Sequence, residues 1–199
     1  MQKGCFIVFE GPNGVGKTTV MDSVCSTLEI EGIPFQRTKE PTTSDLGKHI
    51  RGNQNRYSKE VLACLVAANR YEHLQTVILP GLQSGNVVLS DRYFPSSLVY
   101  QMMDGLDLSF VEDLNQRILI PSLTIFLRAD PILLEVRLKE RDNLTRFEQD
   151  QKKEAHFYNN AETLLIDKGW NILSLDSGVF NVTQLAERIL RAIGEKYKS

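Results

Sequence analysis

The sequence lacks several features that would fix a protein's class at a glance. Its three cysteines, Cys5, Cys25 and Cys64, have no metal-ligand spacing and read as free, buried thiols of a reducing compartment. His49, His73 and His156 form no ligand cluster in sequence and are expected to be structural or surface residues. The formal net charge is only −2, which argues against a surface dedicated to a nucleic-acid polymer or a membrane. No apolar run approaches the roughly 20 residues that a membrane-spanning helix needs. A signal-peptide pattern is missing too, and the first apolar run begins at Cys5, so the expected location is cytoplasmic. With no internal repeat, low-complexity tract or linker, residues 1–199 are expected to make a single domain.

What is present begins with that apolar run, Cys5 to Phe9, suited to a strand buried on both faces. It leads into Gly11-Pro12-Asn13-Gly14-Val15-Gly16-Lys17-Thr18, which fits glycine, four residues, glycine, lysine, then serine or threonine. Such a loop must curl its backbone N–H groups around a polyphosphate. Glycines take the positive-φ conformations required and add no Cβ to block the phosphate. Lys17 then supplies a charge for the β- and γ-phosphates and the Thr18 hydroxyl a ligand for Mg²⁺. Val20, Val24 and Leu28 follow at helical spacing, so the phosphate is expected at a helix N-terminus.

Further strands are predicted at residues 35–38, 87–90, 123–127 and 170–175. Helical patterns fall at 58–79, 108–118, 131–140, 149–167 and 182–195. Asp130-Pro131 reads as an N-cap followed by a first-turn proline, and Asn181 with Gln184 as a capping box. Strands separated by helices imply crossover connections. The expected fold is therefore α/β, a three-layer phosphate-loop NTPase architecture with a mainly parallel sheet covered by helices on both faces. The strand at 87–90 ends in Asp91, a carboxylate placed to hold Mg²⁺ or its water shell, and Arg92 follows it. Taken alone, Asp91-Arg92-Tyr93 is more often a strand-end ion pair.

The chain resembles the thymidylate kinases, a family of phosphate-loop nucleoside monophosphate kinases. The resemblance rests on Phe9-Glu10-Gly11, Thr38-Lys39-Glu40-Pro41, Ala67-Ala68-Asn69-Arg70-Tyr71-Glu72, Asp91-Arg92-Tyr93 and Ser96-Ser97-Leu98-Val99-Tyr100-Gln101. It implies transfer of the γ-phosphoryl of ATP·Mg²⁺ to the phosphate of a deoxynucleoside monophosphate, dTMP in the family. It also implies a homodimer paired through helices next to the acceptor site. On the nucleotide side it assigns Gly11, Asn13, Gly14, Val15, Gly16, Lys17, Thr18 and Thr19, with Thr18 and Asp91 at the metal. On the acceptor side it assigns Asn13, Lys39, Val66, Arg70, Arg92, Ser97, Tyr100 and Gln101. Lys17, Arg92 and Arg146 carry the catalytic charge, Arg146 from a lid at roughly residues 137–150. Residues 175–182 resemble the loop that meets the adenine.

This sequence departs from the family pattern on the acceptor side. Asn13 stands where a carboxylate usually accepts from the sugar 3′-hydroxyl, and Lys39 replaces an arginine. Thr42 and Thr43 replace glycines, and Val66 replaces the phenylalanine that stacks on thymine, with Tyr71, Phe94 and Tyr100 as rings that can stand in for it. Two other readings stay open at this point: a kinase for a different nucleoside monophosphate, and a non-catalytic phosphate-loop binder acting as a regulator. A guanine-reading Asn-Lys-x-Asp is absent, while Lys17, Thr18, Asp91 and Arg146 are all retained.

Overall fold

Strand β1, Cys5–Glu10, is buried along its whole length, and its side chains serve two cores. In the computed structural model, which describes residues 4–139 and 150–197, Cys5, Ile7 and Phe9 point to one face of the sheet and Phe6 and Val8 to the other. This is the period-two alternation of a strand, here apolar on both sides because helices cover both.

Five strands lie parallel in the order β2-β3-β1-β4-β5, with β2 at Phe35–Lys39, β3 at Val87–Asp91, β4 at Leu123–Arg128 and β5 at Ile172–Asp176. β1 pairs with β3 on one side (Phe9 opposite Asp91) and with β4 on the other (Glu10 opposite Phe126). The connections leaving β1 and β3 diverge, and the crevice at their carboxyl ends is where such sheets bind ligands. Helices α1 (Lys17–Ile30) and α9 (Val182–Tyr197) cover one face. On the other lie α5 (Phe94–Met103), α6 (Leu108–Leu114) and α8 (Gln151–Asp167). The expected α/β layering is the one observed.

The strands fall within a residue or two of expectation, and helices α7 (Pro131–Lys139) and α9 begin at the expected caps. Asp130 accepts from the Ile132 N–H at 2.8 Å. Asn181 and Gln184 exchange reciprocal bonds at 3.0 and 3.1 Å, the capping box in full. Sequence periodicity missed α5 and also α2, Asp45–Asn53, although Ser44 caps α2 by accepting from Gly47. It also ended the long helix too early. α3, Lys59–His73, runs through a single π turn, Leu74–Ile78, into α4, Leu79–Gln83. α6 stops at Leu114 because Asn115 folds its amide back onto the Val111 carbonyl at 2.7 Å.

Candidate active site

The loop between β1 and α1 has the backbone its glycines permit. Gly11, Gly14 and Gly16 all have positive φ, and a Cβ on Gly11 would lie 2.2 Å from the Leu127 carbonyl oxygen. Gly16 caps α1 with no side-chain bond, leaving the first-turn N–H groups for an anion. Lys17 is buried and spans the loop, its Nζ donating to Gly11 O at 2.7 Å and Pro12 O at 2.9 Å. Burial first, and then neighbouring Arg92, push its pKa down to about 7. Val15 turns its side chain into the core, so only its backbone is available to a ligand. Asn13, Gly14, Gly16, Lys17, Thr18, Thr19, Asp91 and Arg92 line a polar hollow of about 180 Å³. In it, Asp91 Oδ1 is buried and accepts no hydrogen bond from the described residues. An orphaned carboxylate oxygen in a cavity it shares with the Thr18 hydroxyl is the donor set Mg²⁺ uses beside phosphate.

Arg92 lies at the mouth of this hollow with φ 73°, a left-handed conformation uncommon for a residue bearing a Cβ. Surrounding bonds hold it there. Its N–H donates to Phe9 O at 3.0 Å, and Ser90 Oγ donates to its carbonyl at 2.8 Å. The guanidinium reaches Asn13 Oδ1 at 2.8 Å, Ser96 Oγ at 3.1 Å and the Tyr158 hydroxyl. Glu10 braces the same turn. Its fully buried carboxylate accepts from Tyr93 N at 2.8 Å and Ser96 Oγ at 2.8 Å, with burial raising its pKa.

On the other side of Arg92 opens a second cavity of about 210 Å³. Of the residues assigned to the acceptor, it gathers Asn13, Val66, Arg70, Arg92, Ser97, Tyr100 and Gln101. Arg70 is 1% exposed, so it is neither a surface nor a capping cation. It donates to Glu40 at 2.9 Å, Ser97 Oγ at 2.9 Å, the Tyr93 carbonyl and Asn115. Gln101 Oε1 is a buried acceptor with no partner among the described residues, at the cavity wall. Of the three candidate rings only Tyr100 lines this cavity. The Tyr71 hydroxyl is tied to the Leu114 carbonyl, and Phe94 is buried beneath the Arg70 guanidinium. Lys39 does not join the others. Strand alternation turns Glu40 inward and Lys39 outward, into a separate polar cavity of about 660 Å³ that also holds Thr42, Thr43 and Asp91.

Sequence reading missed the roles of Glu154 and Arg137. Glu154 of α8, fully buried, accepts from the Asn13 N–H at 3.2 Å, from Asn13 Nδ2 at 2.9 Å and from the Tyr100 hydroxyl at 2.6 Å. Burial raises its pKa. His73, expected to be structural or at the surface, is structural: it bridges Thr38 Oγ1 at 2.7 Å and Glu40 Oε1 at 3.1 Å and so backs Arg70 through Glu40. Arg137, where the resemblance starts the lid, donates to Ser177 Oγ and its carbonyl, both at 3.1 Å, tying α7 to the segment that resembles an adenine loop. Helical spacing marks the buried face of α8 but cannot show which loop that face meets. Arg146 and most of the lid assigned to 137–150 lie outside the described residues.

A phosphate loop opening a helix, a strand-end carboxylate beside it and an arginine-lined second cavity next door define a phosphate-loop nucleotide phosphotransferase. The sequence profile described as thymidylate kinase matches residues 9–185, and the chain belongs to the thymidylate kinase family. It is 41% identical over 167 residues to a probable thymidylate kinase of Pyrococcus horikoshii, covering 78% of this chain and 82% of that one. A probable thymidylate kinase of Staphylothermus marinus is 35% identical over 173 residues, 85% of each chain. The thymidylate kinase of Clavibacter sepedonicus is 34% identical over 188 residues, 84% of this chain and 88% of its own.

Proposed function

We propose that this chain transfers the γ-phosphoryl group of ATP to dTMP, yielding dTDP and ADP. One observation carries the reading: the phosphate-loop hollow and the acceptor cavity share Asn13 and Arg92 as a common wall. Two phosphate-bearing ligands in those cavities meet at a guanidinium. Phosphoryl transfer is largely a matter of positioning and charge neutralisation, and this arrangement supplies both.

Lys17 leaves its loop carbonyls for the β- and γ-phosphates, and the first-turn N–H groups of α1 receive the phosphate oxygens. Thr18 and Asp91 would hold Mg²⁺, which would supply charge neutralisation at the transferring group. Arg92 and Arg70 hold the acceptor phosphate as planar forks, Arg92 turning towards the transferring group. Arg146 has, by the resemblance, the role of neutralising charge on the transferring group. Gln101 Oε1 accepts the imide N–H of thymine, a donor that cytosine lacks.

The whole chain works as a single cytoplasmic domain and pairs as a homodimer. Supporting the pairing, Val61, Cys64 and Ala68 are exposed on α3 at helical spacing, with Leu65 half-buried between them. A coupled ADP-release assay over dTMP, dUMP, dCMP, dGMP and dAMP tests the reading. The expected result is the highest kcat/KM with dTMP, and a better rate with any other base overturns the assignment of acceptor.

A further inference from the structure

Asn13 occupies the position where the family pattern has an acid, yet the site is not short of a carboxylate. Glu154 brings one from α8, 141 residues further along the chain, and sets it directly against Asn13. The Asn13 amide is used completely. Its oxygen accepts from Arg92 at 2.8 Å, while its nitrogen and its backbone N–H both donate to Glu154. A flipped amide would turn its NH₂ on the guanidinium and its oxygen on the carboxylate, so only one orientation satisfies both neighbours. The same Glu154 oxygen also accepts from Tyr100, which lines the acceptor cavity.

Resting on the dTMP kinase reading, we propose that Asn13 and Glu154 form one amide–carboxylate pair that sets acceptor affinity. In this pair helix α8 supplies the negative charge instead of the phosphate loop. Glu154 is a positioning residue: it fixes Asn13 and Tyr100, and through Asn13 it fixes Arg92. It follows that restoring the family's acid at position 13 damages this protein. Asn13→Asp replaces an N–H···O contact of 2.9 Å by two facing carboxylate oxygens, which cannot both stay ionised at that distance. Either the pair separates, and Arg92 and Tyr100 lose their registration, or one member takes up a proton and the pair's bonds to Arg92 and Tyr100 are redistributed.

A double-mutant cycle on dTMP decides the matter, using the wild type, Asn13→Asp, Glu154→Gln and the swap carrying both changes. Each single change is expected to lower kcat/KM for dTMP about tenfold or more, chiefly through KM, with the KM for ATP moving less than twofold. The swap restores the donor–acceptor match with charge and amide exchanged, and is expected to return to within about threefold of wild type. A swap no better than the poorer single variant overturns the pair, as does Asn13→Asp equalling or exceeding wild type. A purely structural Glu154 would give a lowered Tm with an unchanged KM, which also overturns it. Calorimetric binding of dTMP to the same four proteins without ATP reads the pairing independently of turnover. Failure of the wild type itself to bind and phosphorylate dTMP sinks the acceptor assignment, whereas failure of rescue with an active wild type sinks the pair alone.

Discussion

Arg70 donates from Nε to Glu40 Oε2 at 2.9 Å, with both side chains almost wholly removed from solvent. His73 occupies the other Glu40 oxygen at 3.1 Å. A buried charge is tolerable only while its partner remains, so removing one member costs far more than the pair itself contributes. Glu40→Ala is expected to lower the unfolding free energy by about 3–5 kcal/mol, since it strands the Arg70 guanidinium. Glu40→Gln, which keeps the shape and some of the bonds, should lose less stability and raise the KM for dTMP. Urea unfolding of both variants checks the order, and an Ala variant as stable as wild type contradicts it.

Lys17→Ala is expected to reduce kcat at least about a hundredfold, the scale of removing one positioned donor from developing charge. Stability should change little, because the side chain spans a loop and supports no core. Single-turnover kinetics beside a melting curve separates the two effects. Near-normal turnover by a folded variant would remove Lys17 from the mechanism.

Arg146→Ala should lower kcat by roughly 10²–10³ while the KM for dTMP stays within a few-fold, as expected of a charge engaged mainly in the transition state. If the loss appears only in KM, Arg146 binds the ground state and Arg141 is the next candidate.

Val66 lines the acceptor cavity beside Ile50, Leu62 and Tyr100. Val66→Phe adds a ring that can stack on the base, worth about 0.5–1.5 kcal/mol, or roughly two- to tenfold in the KM for dTMP. A raised KM would mean that the smaller side chain is matched to this cavity and that Tyr100 already supplies the ring.

Cys5 is buried, and burial pushes its thiol pKa up to about 11. The thiolate is the reactive form, so at pH 8 this sulfur is almost entirely protonated as well as inaccessible. Cys25 is also buried, but Cys64, expected to be buried, is exposed on the apolar face of α3. Iodoacetamide at pH 8 should therefore modify Cys64 alone in the native protein and all three cysteines in denaturant. Pairing through α3 should further slow the Cys64 reaction as protein concentration rises. A rate independent of concentration, together with a monomeric light-scattering mass, would exclude that interface.

The strand–loop–helix of residues 5–30 was legible because its signals are local: an unbroken apolar run, glycines at fixed offsets and a helical period. Arg92 and Arg70 were marked by their motifs, but their surroundings were not. Both depend on contacts between distant segments, such as Arg70 with Asn115, which no spacing encodes. That Lys39 lines a different cavity from the other acceptor residues was not legible, because a motif names neighbours without saying which way a strand turns them. Glu154 was invisible for a related reason. On a helix an acid has the same pattern whether it faces water or closes a pocket, and only the packing of α8 on α5 tells them apart.

The π turn at Leu74–Ile78 has a consequence for how this gene can change. Upstream of it, Asn69, Arg70 and His73 face the site. Downstream, Gly81 lies so close to Gln36 and Val88 that an added Cβ would meet them at 2.4 and 2.9 Å. Each residue inserted or deleted rotates one end of a helix about 100° against the other. The two halves are in phase only because the wider turn absorbs one extra residue. Substitutions in this stretch can be accepted one side chain at a time. A single-codon insertion or deletion here would instead turn the arginine away from its ligands or drive the helix into the sheet, so descendants of this chain should vary in letters here but not in length.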